Sequence, residues 1–313
     1  MYSLLRPLTR RLPAAVGGRT ITSSATLCGS KAPSEPQVNQ VSLNSFNSNH
    51  ALYDRVRPDF PAAAVDALVT DLMHLSPHDA ATRVVEVGSG TGKFTKALVA
   101  RGFTAHGQLA AVEPSAGMNA SFRQNFPHGP PVHEASVYEL GQVVADGSAD
   151  GILIAQAFHW FGDVPALRAL ATALKPGAKL GLIWNYEDLD DLPANNWQRQ
   201  TTEYVWQFDK DVPQYKDMDW IAAFTDPANQ YFVYPYEERF ITHTVVIPRD
   251  MVWPYWASRS YITALPQAKQ DEIREKIESI VYAPDIPATD LTENGDLIAR
   301  RGTHVVAALK KAN

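Results

Sequence analysis

One nine-residue run, V-V-E-V-G-S-G-T-G at 84–92, constrains this chain more than any other stretch. A short apolar run delivers the backbone to Gly88, Gly90 and Gly92, and a helical pattern, G-K-F-T-K-A-L-V-A-R-G, follows at once. A strand, a glycine turn and a helix make the first unit of a parallel α/β sheet, in which bare main chain at the turn can lie against a ligand. The dinucleotide fingerprint G-x-G-x-x-G would need its third glycine at 93, which is Lys93; the spacing here is G-x-G-x-G. A nicotinamide-dependent oxidoreductase is disfavoured on that ground.

The pattern repeats downstream. Apolar runs L-A-A-V-E, P-V-H-E-A, D-G-I-L-I-A and K-L-G-L-I-W alternate with helical segments around 115–126 and 165–174. Short strands without polar alternation are covered on both faces, which is the signature of a parallel sheet with right-handed crossovers. The fold class expected is α/β: a doubly wound, mostly parallel seven-stranded sheet. E-R-F-I-T-H-T-V-V-I and T-H-V-V-A-A-L supply two edge strands, and a helical cap is inserted after the fifth strand. The core spans about 80–186, and the cap with the edge strands about 187–313.

Two acids flank the glycines. Glu86 lies two residues before Gly88, where a carboxylate can address a ligand's ammonium group directly or through water. Glu113 ends the second strand, where a carboxylate accepts bonds from both ribose hydroxyls; otherwise it is an acid starting the next helix. His159 follows the fourth strand at the carboxyl edge and is the candidate general base, or else packs the loop together with Trp160. Trp184, Asn185 and Tyr186 follow the fifth strand. Trp253, Trp256, Arg259 and Tyr261 come from W-P-Y-W-A-S-R-S-Y. Aromatics with one guanidinium suit a flat or acidic small molecule, with Trp160, Trp184, Asn185, Trp256, Arg259 and Tyr261 as acceptor-facing candidates; the alternative is a cap packed on the sheet.

These motifs in order, V-V-E-V-G-S-G-T-G, V-E-P-S, D-G-I-L-I-A-Q-A-F-H-W-F and L-K-P-G-A-K-L-G-L-I-W-N-Y-E, resemble the class I S-adenosylmethionine-dependent methyltransferases. The A-x-H-W-F signature and the upstream A-L-Y-D-R-V-R-P-D-F-P are similar to the fungal branch that includes trans-aconitate methyltransferase-like proteins. The resemblance implies S-adenosylmethionine as cofactor and a small-molecule acceptor, with carboxylic acids as a candidate class. It implies that Glu86, Gly88, Ser89 and Gly90 line the methionine part, with Gly92 completing the loop. Glu113 would hold the ribose, Ala135 and Ser136 would lie beside adenine, and Gln156 would face the methionine end. Tyr53 and Arg57 would close over the cofactor, Arg57 meeting its carboxylate or else forming a surface ion pair. A cofactor-binding protein that transfers no methyl group, such as a non-methylating enzyme or a mitochondrial assembly factor, is the second expectation.

Composition narrows the partners. The formal net charge is −6, and Lys and Arg cluster only in the leader, so no nucleic-acid surface is expected. No apolar run approaches the ~18 residues that span a bilayer. The single cysteine, Cys28, and the histidines, among them His243 and His304, show no metal-ligand spacing; no metal is expected and these histidines read as ordinary. Residues 1–34 carry Arg6, Arg10, Arg11, Arg19 and Lys31, many Ser and Thr, and no acid. Leu4, Leu8, Leu12 and Val16 share one side of a helix. This is the composition of a mitochondrial transit peptide, with cleavage after Ile21. Pro7 and Pro13 favour the alternative, an untargeted tail on a cytoplasmic protein. Residues 35–45 read as a linker and 46–313 as the methyltransferase domain. Without residues 1–34, 23 basic residues remain against 34 acidic, a net charge near −11.

Overall fold

The alternation of apolar runs and helices folds into one seven-stranded sheet of order β3-β2-β1-β4-β5-β7-β6. The strands are β1 (Val84–Val87), β2 (Leu109–Val112), β3 (Val132–His133), β4 (Ala149–Ala155), β5 (Leu174–Glu187), β6 (Glu237–Ile247) and β7 (Leu297–Leu309). A computed structural model of the chain describes residues 55–104, 106–209 and 212–312. The transit-peptide and linker segments expected at 1–34 and 35–45, and Tyr53, lie outside the described residues.

β1 pairs in parallel with β2 on one side and β4 on the other, so the strand order reverses between β1 and β4. That reversal opens a crevice at the carboxyl ends of the strands, where doubly wound sheets bind ligands. β7 runs antiparallel to both β5 and β6. The helices are α1 (Ala62–Asp66), α2 (Lys93–Val99), α3 (Ala116–Asn125), α4 (Val164–Ala173), α5 (Trp197–Val205), α6 (Ala222–Thr225), α7 (Arg249–Ala257), α8 (Ser260–Thr263) and α9 (Gln267–Val281). α1 runs straight into a π-helical turn, Ala67–Leu72.

Alternate strand residues feed two cores, as the pleat requires. Ile152, Ile154, Leu182 and Trp184 pack with Leu167 and Leu170 of α4 on one face. Leu153, Ile183 and Val305 pack with Leu68, Phe94 and Leu98 on the other. A third core belongs to the cap, where Trp197 and Val205 of α5 meet Val252, Trp256, Ile273 and Ile277.

The structure corrects two details. The cap draws on two insertions, one after β5 and one between β6 and β7, because the α5 core is completed by α7 and α9. Of the two strands expected at the edge, only β6 is there. β7 lies between β5 and β6 and begins at Leu297, six residues before the apolar run suggests. The polar start Arg300-Arg301 hides the strand because these side chains are used by the cap: Arg301 pairs with Glu187 and Arg300 with Asp188.

Candidate functional site

The glycine loop after β1 takes three left-handed turns, with φ of 72° at Gly88, 57° at Gly90 and 91° at Gly92. L-side chains rarely adopt such angles, which is why the loop is glycine. The three serve different contacts. A Cβ at Gly88 would sit 2.8 Å from Ala157 Cβ, so Gly88 lets the β4 loop approach. A Cβ at Gly92 would collide with Phe126 and lie 3.0 Å from Phe122, so Gly92 seats α3. At Gly90 a Cβ would meet nothing within 4 Å, so its bare main chain faces open space.

Glu113 joins the loops that follow β1 and β2. Its Oε2 accepts from the Gly90 N–H at 3.0 Å and its Oε1 from the Ser115 N–H at 2.9 Å. Two carboxylate oxygens offer about four acceptor positions, so two remain for a diol. Burial pushes the Glu113 carboxyl up, and the two N–H bonds act against that shift. Glu86 Oε2 accepts from Thr95 Oγ1 at 2.5 Å, while Glu86 Oε1 is buried with no hydrogen-bond partner. Burial raises its pKa to about 8, with the nearby Glu113 charge adding to the shift and the Thr95 bond opposing it. A buried acceptor without a donor is costly, and a cationic ligand group relieves that cost.

These groups open into a cavity of about 210 Å³ that runs from the glycine loop to the cap. Among the expected residues, Arg57, Glu86, Gly88, Ser89, Gly90, Glu113, Gln156, His159, Trp160, Asn185, Arg259 and Tyr261 all line it. Gln156 is a non-glycine residue at φ 57°, held by its N–H to Ile183 O at 2.9 Å and by Nε2 to Asn185 O at 3.0 Å. Such strain persists only where the surroundings impose it, commonly at ligand sites.

Five expected residues do not line the cavity. Gly92 lies beneath it, against the α3 aromatics. Ala135 is core, and Ser136 caps the turn Val137–Gln142 through Glu139. Trp256 is buried in the cap core. Trp184 is buried among Tyr215, Trp220 and His304, and reaches the site through Tyr215 and His159.

His159 lines the cavity, but its chemistry differs from that of the expected base. Trp184 Nε1 donates to His159 Nδ1 at 3.3 Å, so the neutral ring carries its proton on Nε2. Burial, aided by the Arg259 charge, lowers its pKa to about 3. An imidazole this hard to protonate takes up no second proton at neutral pH, and its one N–H is on Nε2.

The cap end is cationic. The guanidinium carbons of Arg57, Arg259 and Arg301 lie 5.6, 5.1 and 4.9 Å from the Tyr255 ring centre. Glu187 is the carboxylate among them, accepting from the Tyr255 hydroxyl and pairing with Arg301 and with Arg259 at 3.4 Å. Burial, with the Arg57 charge behind it, lowers the Arg301 pKa to about 9. Arg57 NH2 donates to Ser258 O at 3.1 Å, which ties the residue to the cap. Tyr255, Glu187, Tyr215 and Trp206 also line the cavity and were missed from sequence. Glu187 had a signal, an acid at the end of a strand. Tyr215 sits in a segment with no periodicity, and Trp206 follows directly on α5.

Residues 85–182 match the methyltransferase domain family. The chain carries a class I methyltransferase domain. A methyltransferase-like protein of Schizosaccharomyces pombe is 27% identical over 261 residues, 81% of this chain and 91% of that one. An uncharacterized methyltransferase of Mycobacterium tuberculosis is 36% identical over 165 residues, 51% of this chain and 58% of that one. A type II methyltransferase structure from Anaeromyxobacter dehalogenans shares the fold, with a TM-score of 0.54 at 19% identity over 80% of this chain and 97% of its own. None of these distinguishes the trans-aconitate methyltransferase-like branch within the class.

S-adenosylmethionine is the cofactor of this methyltransferase, and the residues present fit it. Glu86 Oε1 would meet the ammonium, Glu113 the ribose hydroxyls, and the Gly90 main chain the nucleoside between them. Among the described residues no cluster could hold a metal ion, and no helix is long and apolar enough to cross a membrane.

The Glu86 shift sets a sign. With a pKa near 8 the group is mostly protonated at pH 7, and a cation beside Oε1 favours the carboxylate. Calorimetric titration with S-adenosylhomocysteine, which keeps the ammonium, should release up to one proton at pH 7, read from heats in buffers of different ionisation enthalpy. Glu86→Gln should abolish the release. In the free protein a raised carboxyl pKa gives stability that is full below about 4.5 and lost as pH rises through about 8. Glu86→Gln should therefore flatten the fall in melting temperature over that window. Proton release that is unchanged in the variant would refute the assignment.

Proposed function

We propose that this methyltransferase acts on a small acceptor bearing a carboxylate, held at the cap end of the cavity. The observation that carries this is the gathering of Arg57, Arg259 and Arg301 around Tyr255, with Arg57 and Arg259 lining the cavity itself. Guanidinium groups held this close repel one another, and an anion entering beside them is attracted to all three. Arg259 is the residue of the three that lines the cavity within electrostatic reach of His159. It is already braced, NH2 donating to the Tyr255 hydroxyl at 2.5 Å, so a carboxylate meets an oriented guanidinium.

The cofactor supplies a methyl group on sulfonium sulfur, already bonded to a good leaving group. The chain has to align the acceptor in line with it and exclude water. His159 Nε2–H and Asn185 are polar groups on the wall between the two ends, and Trp160, Tyr186 and Tyr261 close it with aromatic surface. A cofactor-binding protein without transfer is not favoured, because the cavity extends past the cofactor-facing loop to a second, oppositely charged end. We also propose import into the mitochondrion, on the cationic composition of residues 1–34. A fluorescent fusion of residues 1–40 should reach mitochondria, and a cytosolic fusion would end that idea.

A screen of carboxylic acids and phenols with methyl-labelled cofactor tests the acceptor class. For an acidic acceptor, Arg259→Ala should raise KM by about 10- to 100-fold, the loss of one charge-assisted contact. A neutral acceptor should be unaffected by the change. Transfer to neutral phenols alone, insensitive to Arg259→Ala, would contradict the proposal.

A further inference from the structure

His304 of β7 looks ordinary in the sequence, yet it is fully buried (0% exposed) and both ring nitrogens are engaged. Nε2 lies 2.8 Å from Glu238 Oε2, and Nδ1 lies 3.0 Å from the Tyr215 hydroxyl. The ring is stacked on Phe240 at 4.1 Å, with Trp184 and Trp220 beside it. A carboxylate only accepts, so Nε2 carries the proton it donates to Glu238. In the neutral ring Nδ1 then holds a lone pair and accepts from the Tyr215 O–H. The three residues come from three separate elements: β6, β7 and the turn Tyr215–Asp217. Their outer end meets water, since the Glu238 side chain is 43% exposed. Their inner end is Tyr215, on the cavity wall with His159 and Asn185.

We propose that Tyr215, with His304 and Glu238 behind it, takes the proton from an acceptor hydroxyl during methyl transfer. This rests on the methyl-transfer reading and narrows its acceptor to a hydroxy acid, anchored by its carboxylate at Arg259 and methylated on its hydroxyl. A bare carboxylate needs no base, whereas a hydroxyl does. His159 cannot serve, because its Nδ1 already accepts from Trp184. As the acceptor oxygen bonds to the methyl carbon, the carbon–sulfur bond breaks and its electron pair stays on sulfur. The acceptor proton passes to the Tyr215 oxygen, and the Tyr215 proton passes to His304 Nδ1. The imidazolium formed is paired with the Glu238 carboxylate, and it returns its proton to water once product leaves. Tyr215 is the catalytic residue in this scheme, and His304 and Glu238 are positioning residues. Tyr236, which Glu238 influences, and Tyr234 beside it are further titratable groups at the outer end.

The test uses the full chain, methyl-labelled cofactor and a panel of hydroxy acids, each paired with the same acid lacking the hydroxyl. Label should appear on the hydroxyl oxygen and only in the hydroxylated member of a pair. Tyr215→Phe should lower kcat by at least about tenfold while KM stays within about threefold. Glu238→Gln removes the carboxylate that stabilises the imidazolium, so the acidic limb of the kcat–pH profile should move to lower pH. A merely structural role would leave that limb in place. Independently of turnover, nitrogen NMR of the histidine-labelled protein should show His304 Nδ1 unprotonated, with a shift that changes in Tyr215→Phe. Label on the carboxylate of both members, or hydroxyl transfer indifferent to Tyr215→Phe, would overturn the relay and leave methyl transfer to acids standing. Transfer to neutral hydroxyl compounds alone would overturn the carboxylate anchor and spare the relay. No transfer to any member would sink both.

Discussion

Two hydrogen bonds to one buried carboxylate organise this molecule. Glu113 accepts from Gly90 on the β1 loop and from Ser115 on the β2 loop, and so holds the two loops at a fixed separation. The remaining geometry follows from that clamp. Gly88 admits the β4 loop at Ala157, Gly92 rests on the α3 phenylalanines, and Gly90 is left with its main chain bare. The clamp brings a second buried acid, Glu86, into the field of the first. A protein core does not ordinarily tolerate two such groups, and their electrostatic conflict is relieved when a cation enters.

The cavity is therefore polarised. Acids stand at the sheet end, and guanidinium groups stand at the cap end around Tyr255. On the proposed reading, a cationic cofactor and an anionic acceptor would sort to opposite ends of it. The guanidinium groups come from the segment before α1, from the insertion between β6 and β7 and from the start of β7, so that end of the cavity is complete only with β7 beside β5.

The sheet and the glycine loop were legible because their causes are local. Three valines around Glu86 that lead into G-x-G-x-G read as a buried strand and a tight turn, and Glu113 stands where the next apolar run ends. The acceptor end was legible only as a composition, aromatics with one arginine. Trp184 and Trp256 turned inward because large apolar rings gain more by filling a core than by lining a polar cavity. His159 was placed correctly at the sheet edge, but its tautomer depends on Trp184, 25 residues away in sequence, and no local pattern records that. Tyr215 and His304 were invisible for the same reason, being 89 residues apart and joined only by the antiparallel return of the chain.

The central claim is that bare main chain at Gly90, clamped by Glu113, cradles the sulfonium nucleoside. Calorimetric titration of S-adenosylmethionine into the wild-type protein and Gly90→Ala tests it most directly, because the added Cβ meets no protein atom within 4 Å. The variant should keep its far-ultraviolet spectrum and cooperative melting, while its affinity falls by about tenfold or more, at least ~1.4 kcal/mol. Equal affinity in the two proteins, or no binding heat in the wild type, would contradict the account.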